Sequence, residues 1–349
     1  MKNLFVVHTP FNLMTAFILS KSTFADDDNY LVIMHPQSFE DWKDEPILKY
    51  MYSKECGYKD VFHLQRWFRS GQGSYRKQVA DVRSMVGDIE FDRAFLAVDI
   101  DIQAQLLLAV LGLKNYYRYD EGMWSYYSSG HKRTWFNAAF HLMQLKFMCF
   151  LAGIKTDLEF NTKGIGFAKA ALGDYLYRPE LLMRDSPKVV TISNDMIKRA
   201  VNVLKNQGLL KQHFDKKTIL YLSQPLVEKG EVEENAELSS LIKIVGKFSG
   251  EARFLYKPHA RDSKEKIDKY KRAIPNMEIF NSKVPVELLY AIEPNLEAVI
   301  SYASSGLIFG DKFANRQIKM FSLAGISCKA VDSSALQTLQ NAGVVFIQQ

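Results

Sequence analysis

Cysteine is scarce. Cys56, Cys149 and Cys328 are the three in 349 residues, they lie far apart, and no C-x-x-C spacing occurs. Neither a disulfide framework nor a structural zinc site is therefore suggested, and a reducing compartment fits best. Long apolar runs are missing as well. The nearest approach, Thr134 to Ile154, is interrupted by His141, Gln144 and Lys146, short of the roughly 18 uninterrupted apolar residues that a membrane span needs. The opening Met1 to His8 has neither a long apolar h-region nor a small-residue cleavage site, so it reads as a strand and the chain is expected in the cytoplasm. Charge of one sign is in small excess: 45 Lys and Arg against 39 Asp and Glu leave +6. That balance suits anionic substrates or anionic lipid and is too small to argue for nucleic acid. With 47% hydrophobic residues and 24% charged, the chain is no disordered or low-complexity polymer.

What is present is alternation. At about 150 residues per domain the length allows two domains. In the first half, Leu4 to Val7, Tyr30 to Met34, Ala94 to Val98 and Tyr116 to Tyr119 read as strands. Between them lie the helix-length segments Asn12 to Ser20, Phe39 to Tyr52, Tyr75 to Val86 and Gln103 to Leu111. The pattern resumes later with strands Thr218 to Leu222, Arg253 to Tyr256, Met277 to Phe280 and Ala298 to Tyr302, and helices Ala236 to Phe248 and Lys264 to Arg272. Alternation of this kind predicts α/β architecture: two Rossmann-like, doubly wound parallel sheets facing across a cleft. The Pro-containing stretch Arg178 to Lys188 is the expected linker, dividing the chain into domains 1–182 and 183–349.

Ligands of such sheets bind at the carboxyl ends of the strands, so the residues there matter most. Tyr116–Tyr119 runs into Asp120-Glu121-Gly122, where an acid whose pKa is raised could deprotonate a hydroxyl; two solvated acids in a turn are the alternative. Arg253–Tyr256 ends in Lys257-Pro258-His259-Ala260-Arg261. Proline fixes the backbone there, so Lys257 and His259 could project together toward a phosphate, or His259 could be structural. Ala298–Tyr302 ends in Ala303-Ser304-Ser305-Gly306 before a helical pattern from Leu307, which is either an anion pocket at a helix start or a plain Ser cap. Glu287, after Pro285, either complements a helix dipole or accepts from two ribose hydroxyls.

Taken together, Tyr119-Asp120-Glu121-Gly122, Lys257-Pro258-His259, Pro285-Val286-Glu287 and Ser304-Ser305 resemble the bacterial sialyltransferases, closest to glycosyltransferase family 52. The opening Val7-His8-Thr9-Pro10-Phe11-Asn12-Leu13 is similar to that family's first strand and loop. Proline precedes histidine here, where the family reads His then Pro, and Asn12 stands where Gln is common. The resemblance implies a GT-B fold and inverting, metal-independent transfer of sialic acid from CMP-sialic acid to a galactose-containing acceptor of a bacterial surface glycan, lipooligosaccharide or capsule. It implies Asp120 as the base with Glu121 beside it, and Lys257, Pro258 and His259 at the leaving CMP phosphate. Glu287 would hold the ribose, Ser304, Ser305 and Gly306 the phosphate, and Thr9, Pro10, Asn12 and Gly122 would face the sugar. The first domain would then bind the acceptor and the second the CMP-sugar, with no cofactor beyond the donor.

Asp99-Ile100-Asp101 imitates a D-x-D metal motif, but a strand end feeding a helix explains one acid as an N-cap and further carboxylates are wanting. His35-Pro36 is a literal HP with no adjacent lysine. Trp135 to Ile154, following His131-Lys132-Arg133, reads as a core helix, a helix in a homodimer, or an interfacial helix lying on anionic membrane at the inner face of the cell membrane. Two other functions compete with sialyl transfer: a GT-B transferase using CMP-Kdo or a UDP-sugar, and a non-catalytic glycan-binding protein of capsule assembly.

Overall fold

The computed structural model describes residues 1–35, 39–65, 74–126, 134–210, 214–248, 252–259, 261–274, 276–314, 316–326 and 332–347. Pro36, His131, Lys132, Arg133, Ala260 and Cys328 lie outside them. The chain divides into two compact units, Met1–Leu209 and Leu210–Gln349.

The first unit is built on seven parallel strands: β1 (Lys2–Val7), β2 (Asp28–His35), β3 (Asp60–Gln65), β4 (Arg93–Leu96), β5 (Tyr116–Tyr119), β6 (Ala171–Leu176) and β7 (Val189–Thr191). Their order across the sheet is β3-β2-β1-β4-β5-β6-β7. Its helices are α1 (Pro10–Ser20), α2 (Phe39–Trp42), α3 (Pro46–Met51), α4 (Tyr75–Val86), α5 (Ile102–Val110), α6 (Trp135–Ala152) and α7 (Asn194–Asn206). One sheet face packs Leu4, Val6, Val32 and Leu96 against α4, α5 and α6. The other carries an aromatic layer in which Phe5 stacks on Phe95 at 4.6 Å, with Phe24 tilted against Phe95 and Tyr175 edge-on to it. Because both faces are covered, the inner strands read as unbroken apolar runs.

The second unit repeats the pattern with six parallel strands, β8 (Thr218–Leu222), β9 (Arg253–Lys257), β10 (Met277–Ile279), β11 (Leu296–Ser301), β12 (Lys319–Ser322) and β13 (Val345–Phe346), in the order β10-β9-β8-β11-β12-β13. Its helices are α8 (Glu234–Val245), α9 (Lys264–Ala273), α10 (Val286–Ile292), α11 (Gly310–Phe313) and α12 (Ser333–Asn341). Each sheet reverses its direction of winding once, between β1 and β4 and between β8 and β11. Those reversals are where doubly wound folds open a crevice at the strands' carboxyl ends. The α/β class with two Rossmann-like domains is thus the one expected from the sequence.

Two boundaries differ. The first unit extends to Leu209, past the proline-bearing stretch expected to be the linker. Val189–Thr191 pairs in parallel with β6, and α7 packs on α1, so both belong to the first sheet. The single helix expected over Phe39–Tyr52 is two, because Pro46 forces Glu45 into extended backbone (φ −63°, ψ 119°) and restarts the helix at its own first position.

Candidate active site

In the first unit, four strand ends supply one cluster. β1 ends at Val7, and His8 and Thr9 lead into α1, which Thr9 caps by accepting from Asn12 N–H at 3.1 Å with Pro10 at the first helical position. Asn12 is fully buried. Its Oδ1 accepts from His8 N–H at 3.4 Å and its Nδ2 donates to Glu121 Oε2 at 3.3 Å. Asn12 therefore aims Glu121, where an exposed contact with sugar was expected of it. Thr9 alone of that loop trio is exposed.

The adjacent acids at the end of β5 differ in exposure and partners. Asp120 is fully buried: Oδ1 accepts from Gly122 N–H at 2.8 Å, and Oδ2 accepts from Tyr177 N–H at 3.0 Å and from the Tyr126 hydroxyl. Burial pushes Asp120 up to about 7, with these three donors opposing the rise. Gly122 makes the turn possible, since its φ of 103° lies where a side chain is strained. Glu121 is partly exposed. Burial raises its pKa, and the Asn12 hydrogen bond and neighbouring His8 offset part of that rise. The base expected at Asp120 thus falls on an inaccessible carboxylate with both oxygens engaged, while Glu121 presents itself at the carboxyl edge.

His8 was not anticipated. Neither ring nitrogen has a hydrogen-bond partner, and Nε2 stands 3.7 Å from Asp101 Oδ1. Burial would raise Asp101, yet His8 and the N–H groups of Ala104 and Gln103 hold it below the usual carboxylate range. Asp101 also caps α5 through Ala104 N–H at 2.8 Å. Asp99 is buried beside Arg118 and accepts from Gly166 N–H at 3.0 Å. Both acids of the D-x-D lookalike are therefore committed elsewhere, and among the described residues no His, Cys, Asp and Glu group of three or more could hold a metal.

In the second unit, β9 and β11 flank β8, bringing their ends to one edge: Leu222 is in register with both Lys257 and Ser301. Ser223 N–H donates to Lys257 O at 3.1 Å, and Ala303 N–H to Gln224 Oε1 at 2.9 Å. The Lys257-Pro258-His259 turn is held from beneath by Asp262, whose Oδ2 accepts from His259 N–H at 2.9 Å and from the Tyr256 hydroxyl at 2.8 Å. Buried Lys266 sits 3.4 Å from Asp262 and 3.4 Å from Glu237, and Tyr270 donates to Glu237 at 2.9 Å. None of these supports stood out in the sequence, because each is separated from His259 by charged residues that look solvated.

His259 is exposed, and its Nδ1 accepts from Arg261 N–H at 3.2 Å. That bond leaves Nε2 as the protonated nitrogen of the neutral ring. Partial burial lowers the pKa of His259, helped by Arg261 and Lys229 and opposed by Asp262. Lys257 has its own contacts. The ammonium donates to Ser282 O and lies over the Phe280 ring at 5.7 Å, which braces β9 against the segment after β10.

Ser304 and Ser305 are partly exposed, but the regular helix start expected there is a four-residue 3-10 turn, Ser305–Ile308. Ser304 Oγ accepts from Gly306 N–H at 3.2 Å, which removes one of the free donors an anion would use and leaves the hydroxyls. Gly306 is needed for close approach: an added Cβ would stand 2.8 Å from Val286 Cγ1. The Tyr290 hydroxyl donates to Gly306 O at 3.0 Å, so α10 lies against this turn. Glu287, expected at the ribose, lies on the first turn of α10 and is buried.

A family model described as alpha-2,8-polysialyltransferase (POLYST) matches residues 3–322. No curated protein matches. Among solved structures, a UDP-GlcNAc 2-epimerase of Neisseria meningitidis, bound to UDP-GlcNAc, superposes with a TM-score of 0.55 at 12% identity, covering 100% of this chain and 88% of that one. The UDP-GlcNAc 2-epimerase of Methanocaldococcus jannaschii gives 0.53 at 10% identity, covering 100% and 89%. S. aureus MnaA, solved with UDP, gives 0.52 at 12%, covering 98% and 87%. At such identities the likeness is one of fold.

Proposed function

The chain belongs to the alpha-2,8-polysialyltransferase family, and on that premise we propose that it is an inverting sialyltransferase that moves sialic acid from CMP-sialic acid to a glycan acceptor without a metal. The family match along residues 3–322 carries this reading, and the motif order that resembles glycosyltransferase family 52 agrees with it. In the proposal the first unit handles the acceptor and the second the donor.

Glu121 takes the proton from the acceptor hydroxyl as the oxygen attacks the anomeric carbon. The bond from that carbon to the CMP phosphate breaks with its electron pair on the phosphate oxygen, which His259 Nε2–H and the hydroxyls of Ser304 and Ser305 stabilise. Asp120 holds the turn that presents Glu121, and Asp262 the turn that presents His259. The family description favours an acceptor already ending in sialic acid, and a galactose-ended acceptor is the alternative.

Nucleotide titration tests the donor. CMP should raise Tm in the presence of EDTA by an amount that grows with CMP concentration, while UDP and GDP leave it unchanged. Stabilisation by UDP and indifference to CMP would refute the reading.

A further inference from the structure

The helix α6 has two apolar faces. His141, Leu145, Met148, Cys149 and Ala152 are buried along one. Directly opposite, Trp135, Phe136, Phe140, Met143, Phe147 and Phe150 are exposed, Trp135 by 81% and Phe150 by 76%. Their spacing of one, four, three, four and three residues draws a single stripe along about 22 Å of helix. Four phenylalanines, a tryptophan and a methionine exposed side by side exceed the few hundred Å² of contiguous apolar surface usual for a monomer.

Cations border the stripe. A cavity of about 790 Å³ opens beside Leu142, Lys146 and Phe150, and Lys155, Lys163 and Lys169 line it. A second, of about 540 Å³, continues it to Trp135 and shares Lys163. The neighbouring acids are already engaged, Asp157 by Lys114 at 2.7 Å and Glu159 by Lys169 at 3.4 Å. Lys146, Lys155 and Lys163 form no ion pair among the described residues. The helix itself is not long and apolar enough to cross a membrane.

We propose that the outer face of α6 lies in the plane of an anionic phospholipid surface, its aromatic stripe at the acyl boundary and Lys146, Lys155 and Lys163 on lipid phosphates. Charge decides between this occupant and a second copy. An isologous contact would bring two lysine-bordered faces together while Asp157 and Glu159 on each are already engaged by Lys114 and Lys169, whereas anionic headgroups answer each lysine while the acyl boundary takes the aromatic rings. The surface is independent of the transfer reaction and stands whatever donor is used.

Flotation of the full chain with vesicles of phosphatidylcholine alone, or mixed with phosphatidylglycerol, tests it. The chain should float with the mixed vesicles and far less with the neutral ones, and added salt should release it. Phe147→Glu with Phe150→Glu should reduce binding more than tenfold. The separate variant Lys146→Gln, Lys155→Gln, Lys163→Gln should lose about fivefold per lysine on the mixed vesicles. Absence of wild-type binding, equal binding to neutral vesicles, or unchanged binding by both variants would overturn the proposal. So would a wild-type dimer in sedimentation that the Phe147 and Phe150 changes dissociate without affecting vesicle binding.

Discussion

Glu121→Gln is expected to slow sialyl transfer by about 10²- to 10⁴-fold, the usual contribution of a positioned general base, with Tm and CMP affinity unchanged. The side chain is partly exposed and accepts from Asn12 Nδ2, a hydrogen bond that a glutamine oxygen can also accept. The substitution therefore removes basicity and little else. The pH profile gives the sign. A base works ionised, and burial raises Glu121 above its ordinary value, so kcat/KM should climb with pH through that raised pKa and then level. In the glutamine variant this acidic limb should disappear. Wild-type turnover by Glu121→Gln would remove the assignment.

Asp120→Ala should act on the fold. Its carboxylate serves the N–H groups of Gly122 and Tyr177 and the Tyr126 hydroxyl inside the first unit. Truncation leaves three buried donors unanswered, at a cost on the order of 3–5 kcal/mol. Denaturant unfolding should show the loss. Titration adds a second signature. The folded state holds this carboxyl at about 7, against about 3.9 in an unfolded chain, so it keeps its proton longer when folded. Its contribution to stability is complete below the unfolded value and is lost as pH rises through 7. The decline of wild-type Tm between pH 5 and 8 should be shallower in Asp120→Asn. Were Asp120 the base after all, Asp120→Asn would stop turnover and Glu121→Gln would barely touch it.

The contrast between these neighbours marks how far the residues could be read in order. The inner strands were legible because a sheet covered on both faces turns β1, β2, β8 and β11 into apolar runs, and β–α alternation then implied a parallel sheet. Val189–Thr191 was not legible: it is three residues long with two of them exposed, and only its pairing with β6 makes it a strand. Asp120 and Glu121 were found as a pair, but their roles are set by Tyr126 and by Tyr177, which lies 57 residues on, and no local pattern reports that. His8 stood in view in the first strand's loop. Its setting depends on Asp101 and Glu121, both about a hundred positions away. Lys257 was found at the strand end, but its long stem reaches the Ser282 carbonyl, a contact that strand periodicity cannot foresee.

The central claim is an acceptor-dependent release of CMP for which Glu121 is needed. The measurement is CMP produced by the purified chain from CMP-sialic acid, with and without a panel of sialic-acid-ended and galactose-ended oligosaccharides, followed with product mass in EDTA. The account predicts CMP release that rises on adding one of those acceptors, a matching product heavier by one sialic acid residue, and loss of both in Glu121→Gln. An intact CMP-sialic acid pool beside steady consumption of a UDP-sugar, or product formed undiminished by the glutamine variant, would contradict it.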